Sequence, residues 1–124
     1  MDMQILKLMV VDADDFEAML TGAALSGLGH HVDKFTNAEI AIDALCSAPG
    51  SYDAVVVSEL DNMTRADFAR AAQHGDSALR IVFTGKGVLD MPNVAVLRKS
   101  ELLANPIAML RTVFTVRKPL AIAA

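Results

Sequence analysis

Residues 52–59 read Tyr52-Asp53-Ala54-Val55-Val56-Val57-Ser58-Glu59. No polar side chain interrupts the apolar run Ala54–Val57, which is typical of a strand that is buried on both faces. Strands of this kind lie inside parallel sheets, because helices cover both sides of such a sheet. We therefore predict that Tyr52–Val57 is the central strand of an α/β fold.

The segments on either side of this strand alternate between short apolar runs and helical patterns. The other predicted strands are Ile5–Val11, Val32–Phe35, Leu79–Thr84 and Val94–Leu97. This alternation is typical of βαβ units, which build a parallel sheet. We expect one domain over residues 1–124, since a chain of this length can bury a substantial core.

Four helices are predicted around these strands. The first begins at Asp14 or Asp15 and ends at Gly27 and Gly29, the second is capped by Thr36 or Asn37, the third spans Arg65–His74, and the last opens at Asn105-Pro106 and continues to about Val116. The side chains expected to face the sheet are Phe16, Met19, Leu20, Ala23 and Ala24 in the first helix, Ile40, Ala41, Ala44 and Leu45 in the second, and Ile107, Leu110, Val113 and Phe114 in the last.

The connection between the fourth and fifth strands is too short for a helix. Only 14 residues separate Thr84 from Lys99, and the fifth strand takes four of them. The remaining ten include Gly85, Gly87 and Pro92. A helix of about 11 residues with two connections of about 2–6 residues each does not fit there. We therefore predict a loop or a single turn.

The composition restricts the class of protein. A chain that is 53% hydrophobic and 21% charged is typically globular. No apolar run approaches the roughly 18 residues of a membrane span, and a net charge of −4 argues against a nucleic-acid surface. The single cysteine, Cys46, excludes an internal disulfide and suits a reducing compartment. We expect a soluble, cytoplasmic protein that binds neither membranes nor nucleic acid.

Ligands and chemistry in an open parallel sheet lie at the carboxyl ends of the strands. Here those ends read Val11-Asp12-Ala13-Asp14-Asp15, Val57-Ser58-Glu59, Thr84-Gly85 and Lys99-Ser100. This order of acid, central-strand residue, threonine and lysine resembles the receiver domains of two-component response regulators, over nearly the whole chain. The resemblance implies a doubly wound, flavodoxin-like, five-stranded parallel sheet in the order 2-1-3-4-5, with the family's fourth helix reduced or missing.

The resemblance also assigns roles to single positions. In receivers, two acids after the first strand hold Mg²⁺, an aspartate after the third accepts the phosphoryl group, and a hydroxyl and a lysine bind the phosphoryl oxygens. Asp12, Thr84 and Lys99 match the first acid, the hydroxyl and the lysine. Ala13 stands at the second acidic position and Ser58 at the phosphoacceptor position.

These departures are expected to abolish phosphoryl transfer. Serine does not act as a nucleophile without an activating base, and Mg²⁺ prefers carboxylate oxygens, of which two of three are gone. We therefore interpret Asp12, Ala13, Ser58, Thr84 and Lys99 as a degenerate phosphorylation site, with no catalytic residue, metal or cofactor. Lys99 is expected to pair with Asp12.

Three simpler interpretations concern residues beside this site and away from it. Asp14 and Asp15 are expected to cap the first helix rather than bind metal. Cys46 is interpreted as a buried core thiol, and His30 and His31 as exposed to solvent.

The leading hypothesis is a non-catalytic pseudo-receiver, a protein-interaction module in two-component or phosphorelay-type signalling. The alternatives are a receiver phosphorylated on Asp61 or Glu59, and a small-ligand sensor on the same fold. The expected partner is a regulator or kinase of a bacterial signalling pathway, and a homodimer is also open.

Loss of the fourth helix predicts where a partner binds. Side chains of the fourth and fifth strands lose their cover, and the residues considered are Ile81, Phe83, Ala95 and Leu97 or their alternates. The loop Gly87–Pro92 supplies the apolar side chains that could act as a lid. We predict an interaction surface of Val88, Leu89, Met91 and Val96.

Overall fold

The structure is a computed structural model that describes residues 5–115 of the chain. Its strands are β1 (Lys7–Val11), β2 (His31–Phe35), β3 (Ala54–Val57), β4 (Ile81–Thr84) and β5 (Val94–Leu97). Its helices are α1 (Asp15–Gly27), α2 (Ala38–Ser47), α3 (Arg65–Gln73), α4 (Lys99–Ala104) and α5 (Pro106–Thr115). All strand pairs are parallel and the order is β2-β1-β3-β4-β5, which confirms the predicted fold class and topology.

Each inner strand contributes to two cores, because successive side chains of a strand point to opposite faces. The first core lies under α2 and α3 and includes Met9, Val11, Val55, Val57, Ile81, Phe83 and Phe68. The second core lies under α1, α4 and α5 and includes Leu8, Val10, Val56, Val82, Leu25, Leu102 and Leu110. All four residues of β3 are buried, as expected for the central strand.

The predicted helix caps are present. Asp14 accepts a hydrogen bond from the Glu17 amide at 3.0 Å, and Asn37 accepts one from the Ile40 amide at 2.9 Å. Asn105 accepts one from the Ala108 amide at 3.2 Å, so it opens α5 as expected. These bonds satisfy amide groups that have no partner within their own helix.

The prediction of which α1 side chains face the sheet is wrong. Phe16, Met19 and Leu20 are 61%, 45% and 46% exposed. The residues that α1 buries are Ala18, Thr21, Gly22 and Leu25. The small residues of this face let α1 pack closely on β2, where the Lys34 side chain occupies the space beside Gly22: a Cβ atom added there would lie 2.7 Å from Cδ of Lys34.

Three other expectations about burial are also wrong. Ile40 is 58% exposed, because α2 turns Ala38, Ala41 and Leu45 towards the first core instead. Cys46 is exposed, near the end of α2. His30 is only 7% exposed, because its ring Nδ1 accepts a hydrogen bond from the Leu6 amide at 3.1 Å.

The connection from β4 to β5 contains no helix in residues 85–93, all of which the structure describes, and this confirms the prediction. The short helix α4, directly after β5, was not predicted. The predicted helix end at Val116 and the side chains of Val113 and Phe114 lie outside the described residues. No helix within residues 5–115 is long and apolar enough to cross a membrane.

Candidate functional site

The four polar residues Asp12, Ser58, Thr84 and Lys99 lie at the carboxyl ends of β1, β3, β4 and β5. Backbone hydrogen bonds extend the pairing of β1 with β3 beyond the strands. The Ser58 amide donates to the Val11 carbonyl, and the Ala13 amide donates to the Glu59 carbonyl, both at 2.9 Å. The structure therefore brings the sequence-predicted residues to one edge of the sheet.

Asp12 is the buried carboxyl group of this edge, with 2% of its surface exposed. Its Oδ1 accepts a hydrogen bond from the Asp14 amide at 2.9 Å. Burial raises the pKa of Asp12, and this effect exceeds the opposite effects of the Asp14 amide and the Lys99 ammonium. The fold thus disfavours the charged form of Asp12.

Lys99 contacts two carboxylates. Its Nζ lies 4.0 Å from Oδ2 of Asp12, which is the expected ion pair, and 3.3 Å from Oε1 of Glu17. Glu17 belongs to the first turn of α1, whereas Lys99 is the first residue of α4. The lysine therefore joins two helices above the sheet, and its closer partner is an acid that sequence reasoning missed.

Ser58 and Thr84 hydrogen-bond to each other through their hydroxyl groups at 2.7 Å. Thr84 is buried and Ser58 is half-buried. A serine nucleophile needs a base that removes its proton, and a second hydroxyl group is not such a base. The pair connects β3 with β4 and supplies no activated nucleophile.

Arg65, the first residue of α3, lies over the end of β4. Its guanidinium donates to the Lys86 carbonyl at 2.8 Å and to the Thr84 carbonyl at 3.3 Å, and it stacks 5.5 Å from the centre of the Phe83 ring. Gly85 has φ of +134° and leaves room for this group. Arg65 thus holds part of the β4–β5 connection against α3.

The residues at this edge do not fit the magnesium ion that receivers use. The second acidic position is Ala13, and Asp14 uses its carboxylate to cap α1. Among the described residues, no group of three His, Cys, Asp or Glu side chains is placed to hold a metal ion. One buried aspartate supplies too few oxygen ligands for a hard cation, which prefers several carboxylate oxygens.

The predicted interaction surface is only partly exposed. Val88 is 91% exposed, whereas Leu89, Met91 and Val96 are partly buried against the first core. Ile81 and Phe83 are fully buried, so the expectation that they lose their cover is wrong. Ala95 and Leu97 pack on the opposite face, against the second core. The loop therefore acts as cover and presents one apolar side chain to solvent.

Two residues of the site were missed, and their signals differ. Glu17 stands three residues after the capping Asp14, so its place above the edge of the sheet could have been inferred from the first turn of α1. Arg65 carries no such signal. The contacts of Arg65 depend on the distance between α3 and the β4–β5 connection, which local sequence does not indicate.

No protein-family model matches the sequence, and no curated protein matches it at a significant level. The comparison with solved structures gives clear likenesses. A response-regulator receiver domain protein from Clostridium thermocellum has a TM-score of 0.76 at 17% identity, over 94% of this chain and 99% of that chain. A receiver protein from Sinorhizobium medicae has a TM-score of 0.72 at 20% identity, over 94% and 100%.

A third likeness is the receiver domain of a sensor histidine kinase from Pseudomonas aeruginosa, with a TM-score of 0.70 at 15% identity, over 88% of this chain and 97% of that one. That structure has a magnesium ion coordinated in its active-site cleft. The chain therefore has the fold of response-regulator receiver domains, as its strand ends suggested.

Proposed function

We propose that this protein is a non-catalytic pseudo-receiver, which acts in two-component or phosphorelay-type signalling by binding another protein. It is not an enzyme in this proposal, and its strand-end edge is a degenerate phosphorylation site. The expected partner is a regulator or kinase of the same pathway. The fold supports this proposal, because receiver folds serve such signalling.

The proposal rests mainly on one observation: the hydroxyl and ammonium groups at the strand ends already have hydrogen-bond or ion-pair partners within the chain. Ser58 bonds to Thr84, and Lys99 bonds to Glu17 and faces Asp12. In phosphoryl transfer these hydroxyl and ammonium groups would face the transferred group instead. Here each has a partner within the chain, and the phosphoacceptor position carries no carboxylate.

Incubation with a small phosphodonor and Mg²⁺, followed by intact-mass measurement, tests the proposal. We expect no phosphoryl adduct on the wild-type chain and no Mg²⁺ binding at sub-millimolar concentration. The matched variant is the double substitution Ala13→Asp and Ser58→Asp, which restores two carboxylates. We expect it to bind Mg²⁺ and take up one phosphoryl group, while Ser58→Ala stays inert. A stoichiometric adduct on the wild type would refute the proposal.

The same experiment decides the first alternative. Asp61 and Glu59 are both exposed and follow β3, so a donor could reach either. If the wild type is modified, the variants Asp61→Asn and Glu59→Gln identify the acceptor. The ligand-sensor alternative gains nothing from the groove of about 130 Å³ that the structure shows, since that groove lies between α1 and β2.

A further inference from the structure

Three cations beside the ends of β4 and β5 have no acid partner. Arg65 begins α3, Lys86 follows β4 and Arg98 follows β5. None of them forms an ion pair with an acid among residues 5–115. The chain has 15 Asp and Glu residues against 11 Lys and Arg residues, so acids are in excess. Like charges that gather without acids repel one another, so this grouping adds no stability to the fold.

Backbone contacts hold the three positions together. The Arg65 guanidinium donates to the Lys86 carbonyl at 2.8 Å. The Gly85 amide donates to the Leu97 carbonyl, also at 2.8 Å, so Arg98 follows directly beside Gly85. A Cβ atom added at Gly85 would lie 2.9 Å from Nη2 of Arg65. Neighbouring strands are about 4.8 Å apart, so one ligand can reach all three cations.

The side chains of Arg65 and Arg98 lie on the same face of the sheet. Arg65 stacks on the ring of Phe83, which belongs to the first core. Val96 packs on that core too, and Arg98, two residues later, has an extended backbone with φ of −74° and ψ of 140°. Side chains alternate along an extended chain, so Arg98 leaves it on the face of Val96 and Arg65.

Arg65 is preorganised to bind an anion. Its guanidinium has five N–H donors, of which two bond to the Lys86 and Thr84 carbonyls. These bonds and the ring stack fix the group, and three donors are left. The planar fork of an arginine matches a carboxylate, and a fixed side chain loses little entropy on binding. Lys86 and Arg98 are exposed and add positive charge beside it.

Val88 gives this basic region an apolar neighbour. It is 91% exposed and lies two residues after Lys86. Exposed Asp90 follows it and bounds the region, so a short stretch of a partner suffices to cover it. A net charge of −4 opposes the approach of a long polyanion such as nucleic acid, whereas a short acidic segment carries few charges. The combination suits acidic side chains that flank an apolar one.

We propose that Arg65, Lys86, Arg98 and Val88 form a docking surface for an acidic segment of a partner protein. Carboxylates of the segment bind the three cations, and an apolar side chain between them contacts Val88. The inference rests on the proposed function, since it names the chemistry of the partner that such a binding module takes. A short segment of this kind binds weakly, and salt weakens it further.

Titration of the isotope-labelled full chain with the end-capped peptide Glu-Glu-Leu-Glu-Glu, followed by NMR to about 5 mM, tests the surface, because this range covers weak complexes. We expect amide shifts at residues 85–88 and at Arg98. They should shrink between about 0.01 M and 1 M salt, where the Debye length falls from about 30 Å to 3 Å. Lys86→Glu and Arg98→Glu should each weaken binding about fivefold or more. Both side chains are exposed, and Lys86→Glu keeps the carbonyl that Arg65 binds.

The matched control is Lys34→Glu, which makes the same charge change on β2, at the opposite edge of the sheet. Lys34 also forms no ion pair with a described acid, and its substitution should leave binding unchanged. Arg65→Lys keeps the charge but removes the fork, so it should weaken binding as well. The neutral peptide Gln-Gln-Leu-Gln-Gln should not bind.

Four results overturn the proposal. They are no shift at about 5 mM, equal shifts with the acidic and neutral peptides, binding that survives both Lys86→Glu and Arg98→Glu, and tighter binding of an oligothymidylate of the same charge, which assigns the surface to nucleic acid. None of them bears on phosphoryl uptake. A wild-type chain that binds the peptide and also takes up a phosphoryl group refutes the proposed function and keeps this surface.

Discussion

Lys99 lies between two acids that differ in exposure. Asp12 is buried at 4.0 Å from the lysine nitrogen, while Glu17 is closer, at 3.3 Å, but half-exposed. Solvent screens the Glu17 contact, so it contributes little. Asp12 is shielded from solvent, so its charged form depends more on Lys99 for stabilisation. Burial nevertheless outweighs the lysine, and the pKa of Asp12 is raised. The coupling between Asp12 and Lys99 is therefore the one worth measuring.

We predict that Lys99→Met destabilises the protein by about 1 kcal/mol at pH 7, because it removes the cation of Asp12, and the 4.0 Å separation and the partial exposure of Lys99 keep the loss at the level of a screened ion pair. In the Asp12→Asn background the same change should cost less than half as much. Urea unfolding of the four proteins measures this coupling, with Glu17→Gln as the matched control. Additive effects of Asp12→Asn and Lys99→Met would contradict it.

Asp12 also predicts a pH dependence. Because its pKa is higher in the folded state, Asp12 contributes stability below its ordinary value of 3.8, and this contribution is lost as the pH rises through the raised pKa. At pH 7, Asp12→Asn should therefore not destabilise the protein, and its relative stability should fall when the pH is lowered to about 3.5. Melting temperatures at the two pH values check this. A variant that is less stable than the wild type at pH 7 would refute it.

His30 predicts a pH dependence of stability with the opposite sign. Burial lowers the pKa of His30 from 6.5, so its contribution to stability is present above pH 6.5 and is lost as the pH falls through the lower folded value. Protonation also removes the Nδ1 acceptor of the Leu6 amide. His30→Asn offers an acceptor that does not titrate, and it should flatten the fall in melting temperature between about pH 7 and pH 5. An unchanged pH profile would contradict this, and exposed His31→Asn is the control.

At the scale of elements, a loop and an arginine cover the sheet between β4 and β5, where no helix lies. Leu89 and Met91 pack on the first core, while Arg65 holds the Thr84 and Lys86 carbonyls and covers the Phe83 ring. Two glycines with positive φ, Gly85 and Gly87, give the chain the path that this contact requires.

We predict that Gly85→Ala destabilises the protein by about 1–3 kcal/mol, because it combines a disfavoured φ with a Cβ atom 2.9 Å from the Arg65 guanidinium. Adding Arg65→Ala should relieve the collision but leave the backbone strain. Gly27→Ala is the control, since no atom lies within 4 Å of its added Cβ. We expect that change to be neutral or stabilising. Equal urea midpoints for Gly85→Ala and Gly27→Ala would rule out this account of the connection.

At the scale of the whole molecule, the exposed apolar side chains of the described residues lie on several elements. Phe16, Met19 and Leu20 form a cluster on α1, whereas Val88 in the β4–β5 connection, Ile40 in α2, Ile5 and Leu28 are exposed singly.

We predict that Val88→Asp abolishes binding of the signalling partner without changing stability, because the side chain is 91% exposed and the fold loses no contact. Leu89 is unsuitable for this test, since it packs on the first core. Quantitative affinity purification from the native cell compares wild type, Val88→Asp and the control Ile40→Asp. Partners that Val88→Asp retains at wild-type levels place the interface elsewhere.

The sequence by itself determined the architecture and the composition of the strand-end edge. The unbroken run Ala54–Val57 identified a central parallel strand, and the spacing from Thr84 to Lys99 excluded a helix. Carboxyl ends of parallel strands share one edge, so Asp12 and Ser58 had to meet there. The caps followed from local hydrogen bonds, which involve residues close in sequence.

Only the tertiary structure decided which surfaces are buried and which long side chains meet. Periodicity predicts that α1 has an apolar face, but the distance between α1 and β2 decides that the small face turns inward, at Gly22. The burial of His30 and the contacts of Lys99 with Glu17 and of Arg65 with Lys86 join residues far apart in sequence. Local pattern carries no information on such contacts, because they depend on how the elements pack in three dimensions.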